Sequence, residues 1–216
     1  MIFRDRTEAG RRLAAALQDR VDGSPVVLAL PRGGVPFAAE VARALDAPLD
    51  VIGVRKVGMP GRPELGVGAV SEGGGLVLDE RTLRRLGIPA HQLASTIAAE
   101  RREVDRTVAR YRGTRPLPDV RGRTVIVVDD GLATGVTATA AVRAVRDLGA
   151  RRVVLAVPVC SGTGRGLLAR EADDVVCAES PEPFAAVGQW YDDFGQVTDE
   201  DVVGALAGAR EHTDSS

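Results

Sequence analysis

Residues 124–128, Thr-Val-Ile-Val-Val, form an apolar, β-branched run, and two aspartates, Asp129 and Asp130, follow it directly. Such a run has no polar face, so it fits a strand covered on both sides, as in the middle of a parallel sheet. It leads through Gly131-Leu132-Ala133-Thr134-Gly135-Val136-Thr137 into a segment of helical period, about 137–148, closed by Gly149. A buried strand, an acidic tip, a glycine- and hydroxyl-bearing loop and a helix in this order constrain the fold to an α/β type.

The remaining chain agrees. Apolar runs alternate with helix-period segments, the pattern of a parallel sheet with covering helices. Asp5 caps a predicted helix near 7–20. Val26–Leu30 reads as a short buried strand running into Pro31-Arg32-Gly33-Gly34, with a helix opening at Pro36. A strand at Leu49–Val54 precedes residues 55–75, which hold seven glycines and two prolines with little periodicity and read as a long loop, either a functional lid or disordered. A strand at Leu76–Leu78, a helix over about 90–112, a strand at Arg152–Val157 and a further βα pattern to about 177 come next. Residues 181–196 read as irregular, and Thr198 with Asp201 forms a capping box for a last helix to about 209. The expected architecture is α/β, a mostly parallel sheet with helices on both faces, related to Rossmann folds. Residues 1–209 make one domain, and 210–216 are expected to fray.

Composition narrows the function classes. Of 216 residues, 28 are basic and 30 acidic, and 3% are aromatic. That balance disfavours a cationic nucleic-acid face or a base-stacking surface. No stretch approaches the ~18–20 apolar residues of a membrane span, and the start turns charged at once, so a soluble, cytoplasmic protein is expected. Cys160 and Cys177 form no metal-ligand spacing and are expected as reduced core thiols. Lys56 is the only lysine in an arginine-rich chain.

The chemistry concentrates at 129–137. Successive backbone N–H groups at a helix N-terminus form a nest suited to a phosphate dianion. Two carboxylates beside such a nest need a different partner, and sugar hydroxyls or a divalent cation provide one. A ribose 5-phosphate satisfies both halves. No G-x-x-x-x-G-K-[ST] or G-x-G-x-x-G follows any strand, which excludes the P-loop and dinucleotide fingerprints.

The segment VIVVDDGLATGVT resembles the signature of the type I phosphoribosyltransferase family, an apolar strand, two acids and a loop ending T-G-x-[TS]. The resemblance implies that Asp129 and Asp130 take the ribose hydroxyls of 5-phosphoribosyl 1-diphosphate (PRPP). It implies that Ala133, Thr134, Gly135, Val136 and Thr137 take its 5′-phosphate. Gly131 departs from the aliphatic residue usual there. Pro31-Arg32-Gly33-Gly34 is similar to the family's pyrophosphate loop, which often has a non-proline cis peptide, here Pro31–Arg32, aiming Arg32 and the backbone of Gly33 and Gly34 at diphosphate. Arg55-Lys56-Val57-Gly58-Met59-Pro60, continuing to Glu64-Leu65-Gly66, is similar to its mobile catalytic loop. Val187-Gly188-Gln189-Trp190-Tyr191-Asp192 is similar to the hood of purine-type members, formed mainly by about 179–197 and the N-terminal segment. There Val187, Trp190 and Tyr191 would face a base, and Asp192 would lie near the metal–diphosphate.

The resemblance thus implies a PRPP-dependent transferase with Lys56, Arg32 and Asp130 as its catalytic groups. Mg²⁺ would be chelated by diphosphate and ribose hydroxyls, ribose 5-phosphate would pass to a nitrogen acceptor with release of diphosphate, and the assembly would be a homodimer. Glu64 or Glu72 would assist proton movement. Members specific for 6-oxopurines carry a lysine where Val157–Gly162 has none, so no particular acceptor is implied. The rival reading is a non-catalytic PRPP sensor or regulator; an appended DNA-binding helix pair, which would favour it, is missing from the sequence pattern.

Overall fold

Strands that are apolar on both faces must be sandwiched, and the computed structural model, which describes residues 2–132 and 135–214, shows how. In chain order the elements are α1 (Arg6–Leu17), β1 (Val26–Ala29), α2 (Val35–Ala44), β2 (Leu49–Val51), β3 (Val54–Met59), β4 (Arg62–Ser71), β5 (Leu76–Leu78) and α3 (Glu80–Leu86). Then come α4 (Ala94–Arg112), β6 (Thr124–Val128), α5 (Val136–Asp147), β7 (Arg152–Val159), α6 (Gly162–Leu168), β8 (Asp174–Glu179) and α7 (Asp199–Asp214).

A five-stranded sheet, β2-β1-β6-β7-β8, is parallel throughout. Alternate side chains divide its core. Val27, Ala29, Ile126 and Val128 pack with α1, α2 and α7 on one face, around Leu13, Phe37 and Leu206. Val26, Leu28, Val125 and Val127 pack on the other with Val142 and Val145 of α5 and Leu168 of α6. The expected mostly parallel sheet with helices on both faces is what the chain forms. Asp5 caps α1, its carboxylate accepting from the Glu8 N–H at 2.8 Å.

The differences have physical reasons. Residues 55–75 are not an irregular loop: β3, β4 and β5 form a second, antiparallel sheet. Its glycines allow two register shifts at Val57–Met59 and close approach between β3 and β4. A third core of Val57, Val67, Val70, Leu83, Leu93 and Val104 holds this sheet against α3 and α4. The strand expected over Leu49–Val54 breaks after Val51 because Val54 starts the second sheet. Helix α7 continues to Asp214, past the point at which fraying was expected. Cys160 and Cys177 are joined as a disulfide with Cα atoms 6.1 Å apart, correcting the expectation of reduced thiols. Parallel pairing of β7 with β8 brings them together across the α6 crossover, a proximity that sequence spacing alone does not encode.

Candidate active site

Open parallel sheets leave a recess at the carboxyl ends of their strands, and here the ends of β1 and β6 supply its contents. The Leu30 N–H donates to the Val128 carbonyl at 2.8 Å, so both strand ends continue side by side into their loops. The Pro31–Arg32 peptide is cis, as the family resemblance implied. Gly33 lies directly against Asp130: a Cβ on it would stand 2.2 Å from a carboxylate oxygen of Asp130. A Cβ on Gly34 would stand 2.5 Å from the Val128 carbonyl. These two positions exclude any side chain, and the turn after β1 and the acids after β6 form one floor.

The loop after Asp130 is pinned at its foot to the end of β7. Leu132 donates its N–H to the Val159 carbonyl at 3.0 Å and accepts from the Ser161 N–H at 2.9 Å. Gly135 adopts φ +76°, a left-handed turn that suits glycine, and α5 begins at Val136. Val136 and Thr137 are half-buried at that helix start. Ala133 and Thr134, the middle of the expected phosphate loop, lie outside the described residues.

Electrostatics single out the acid pair. Among the described residues no ion pair reaches Asp129 or Asp130. Burial and the neighbouring Asp130 charge push the Asp129 carboxyl well above the usual carboxylate range. Burial also raises Asp130, opposed by the charge of Arg6. Arg6 sits 3.8 Å above the Phe194 ring, and its Nε is buried with no hydrogen-bond partner. Two carboxylates held this way are poised for hydroxyl donors or a cation.

The N-terminal segment and residues 187–193 pack together against the acid loop. Arg4 and Phe3 accept backbone hydrogen bonds from Asp193 and Asp192, and Ile2 and Phe3 donate to Trp190, so the N-terminal segment pairs with residues 190–193. Val187 descends onto the acid loop: a Cβ on Gly131 would lie 2.4 Å from Val187 Cγ2. The departure at Gly131 is thus what lets the hood approach. Trp190 is half-buried beside Phe184, with ring centroids 6.5 Å apart. Tyr191 corrects an expectation, because its ring is 3% exposed and packed among Phe3, Phe37 and Phe194. A ring so covered offers no face to a base. Asp192 is exposed and engaged with Phe3 only through its backbone.

Lys56 and Arg55 project from β3 at the side of the recess, both exposed. Lys56 reaches the Glu64 carbonyl at 3.3 Å across the hairpin, and Arg55 pairs with Glu100 of α4 at 3.0 Å. The suggested proton role of Glu72 gives way to a structural one. The Glu72 carboxylate accepts from the Arg112 guanidinium and, at 3.3 Å, from the Gly53 N–H. Arg112 is 3% exposed and also donates to Asp50 at 3.2 Å and to the Val51 carbonyl. Arg32 has one nitrogen 3.7 Å from Asp199 at the start of α7. Arg6, Asp199, Tyr111 and Arg112 were missed from the sequence.

An open parallel α/β sheet whose carboxyl-edge loops meet under a hood defines the structural class. Within it the chain belongs to the phosphoribosyl transferase domain family, which it matches over residues 4–193. Two Mycobacterium tuberculosis proteins (strains CDC 1551 and H37Rv), provisionally named phosphoribosyl transferases, are 44% identical to it over 213 residues, 99% of this chain. The chain spans 48% of the length of these relatives. The protein TT1426 from Thermus thermophilus is similar in structure with a TM-score of 0.83 and 49% identity, covering 96% of this chain and 99% of that one. AQ2163 from Aquifex aeolicus shares the fold at 12% identity and a TM-score of 0.52, covering 85% of this chain and 76% of that one. Among the described residues no helix is long and apolar enough to cross a membrane.

Proposed function

We propose that the chain transfers ribose 5-phosphate from PRPP to a nitrogen acceptor of the nucleobase class, releasing diphosphate. The observation that carries this reading is the contact of Gly33 with Asp130, which merges the diphosphate turn and the acid pair into one recess. In that recess Asp129 and Asp130 accept hydrogen bonds from the ribose 2′- and 3′-hydroxyls. The 5′-phosphate lies against the loop that leads into α5, at Gly135, Val136 and Thr137, where N–H groups and the helix dipole favour a dianion. Arg32, with the backbone of Gly33 and Gly34, faces the diphosphate, and Lys56 approaches from β3.

An acceptor nitrogen displaces diphosphate from C1 through a transition state of oxocarbenium character. The charge that grows is on the leaving diphosphate, so the chain's own task is to position the sugar and neutralise that charge. One well-placed donor in such a site is worth ~2.7–4 kcal/mol of barrier. Among the described residues no three His, Cys, Asp or Glu side chains group to hold a metal. The buried carboxylates of Asp129 and Asp130 fit a cation nearby, and Mg²⁺ would be carried by diphosphate and ribose hydroxyls. When bound, it supplies Lewis-acid neutralisation of the leaving group. The second sheet, lying over the side of the recess, excludes water that would intercept C1. Gly131 and Val187 set the height of the acceptor slot.

The test is diphosphate release from PRPP and Mg²⁺ across a panel of nucleobases. Acceptor-dependent release is expected. PRPP binding by calorimetry with no release for any acceptor would leave a sensor, and absence of binding would overturn the reading.

A further inference from the structure

Arg32 is exposed at the tip of the diphosphate turn, with a side chain that on its own would sample many rotamers. What it meets is a hub. Asp199, the first residue of α7, accepts hydrogen bonds through one carboxylate oxygen from the Tyr111 hydroxyl and through the other from Arg110. Tyr111 is 6% exposed and anchored at the end of α4, so the carboxylate is fixed by two partners on one rigid helix. Arg32 stands 3.7 Å from the Tyr111-bound oxygen, too far for a hydrogen bond and close enough for a charge contact. A cleft of about 370 Å³ separates this side of the turn from α4, with Arg32, Arg55, Arg110, Tyr111 and Asp199 along it.

Resting on the phosphoribosyl reading, we propose that Asp199 is a positioning residue that stations Arg32 at the diphosphate end of the recess. The division of labour follows from the geometry. Because Tyr111 and Arg110 already occupy Asp199, the carboxylate attracts Arg32 without consuming its N–H donors. The guanidinium is thereby confined to one sector while its donors stay free for diphosphate oxygens. Fixing the side chain beforehand lowers the ordering cost of binding. Had Asp199 bonded Arg32 in a bidentate fork, the same residue would have sequestered it. The arrangement links three distant stretches of chain: the turn after β1, the end of α4 and the start of α7.

The experiment measures affinity for inorganic diphosphate, and separately for PRPP, by calorimetry in Mg²⁺ with the full chain. Arg32→Ala is expected to weaken diphosphate binding by about tenfold to a hundredfold, the worth of hydrogen bonds to a charged group. Asp199→Asn is expected to weaken it by about threefold to fivefold, and Asp199→Glu to restore most of that. The deciding measurement is the double variant: Arg32→Ala with Asp199→Asn should bind no more weakly than Arg32→Ala alone, because Asp199 acts through Arg32. Tyr111→Phe, which loosens the carboxylate at 199 and keeps its charge, should weaken diphosphate binding by less than Asp199→Asn does, and not at all in the Arg32→Ala background. Additive losses in the double variant, or unchanged affinity in a folded Asp199→Asn protein, would overturn the proposal while leaving the phosphoribosyl reading intact. A wild-type chain that binds neither probe would overturn both.

Discussion

At the carboxyl edge of the five-stranded sheet, Asp129 and Asp130 are recessed, without an ion pair among the described residues, and backed by strands whose side chains are wholly buried. In the three-stranded sheet beside it, Arg55 and Lys56 are exposed, and the outer half of β4, from Arg62 to Leu65, is exposed too. The first region holds charge that folding disfavours; the second carries charge that water already solvates. A recess of the first kind is preorganised for one ligand shape, because the rigid sheet fixes its acids before anything binds. A charge of the second kind is cheap to present and can be brought to a ligand after it has bound. Arg112 ties Glu72, in the turn after β4, to Asp50 of β2.

The largest expected effect breaks the recessed side. Replacing both Asp129 and Asp130 with Asn removes two charged acceptors, each worth about 1.5–3 kcal/mol. PRPP affinity should fall by more than about a hundredfold in calorimetry, with the circular dichroism spectrum of the folded chain retained. Affinity within a few-fold of wild type would place the sugar elsewhere.

The next variant severs the link between the regions. Arg112→Met leaves buried Asp50 and partly buried Glu72 without their cation, a change that costs about 3–5 kcal/mol. Thermal unfolding should move down by about 6–20 °C for a chain of this size. A shift under about 2 °C would mean that water replaces the guanidinium freely.

Lys56→Ala addresses the exposed side alone. Turnover should fall by about a hundredfold to a thousandfold, the loss of one transition-state donor. PRPP affinity and melting temperature should stay near wild type, since an exposed ammonium contributes little to either. Equal losses in affinity and turnover would place Lys56 with the recessed groups.

The same contrast explains what was readable in advance. Val26–Leu30 and Thr124–Val128 are buried on both faces, so their apolar runs announced both the strands and the parallel sheet. The acid pair was readable because Asp129 and Asp130 directly continue such a strand. The second sheet was not readable as strands, since β4 is exposed over its first half and buried over its second, which erases any period of two. Arg112 left a signal: Val104, Val108 and Arg112 share i, i+4 spacing, placing a charge on an apolar stripe. Asp199 and Tyr111 left none, because their meeting with Arg32 depends on how α7 returns across α4. The Cys160–Cys177 pairing likewise depends on which strands are neighbours.

The smallest effect is in stability, and its sign separates the two regions. Asp129 and Asp130 have pKa values raised in the folded chain, so folding binds protons at pH values above the usual carboxylate range near 4. Stability from this source is therefore present at acidic pH and lost as pH rises through the folded-state pKa values. Asp5, Asp79, Asp199 and Asp201 are lowered by hydrogen bonds and act in the opposite direction, stabilising above the unfolded pKa and failing as pH falls. These contributions are common to wild type and to Asp129→Asn, so the difference between the two proteins isolates the recessed pair. Without ligand, Asp129→Asn should be more stable than wild type at pH 8 by about 1–3 kcal/mol, or about 2–12 °C, and equal to it near pH 4. Introducing Lys56→Ala into both proteins should leave that difference unchanged, because an exposed, solvated ammonium contributes little to the buried pair. A stability difference that is the same at both pH values would show that the acids are not held against their charge, and the contrast between the two regions would fail with it.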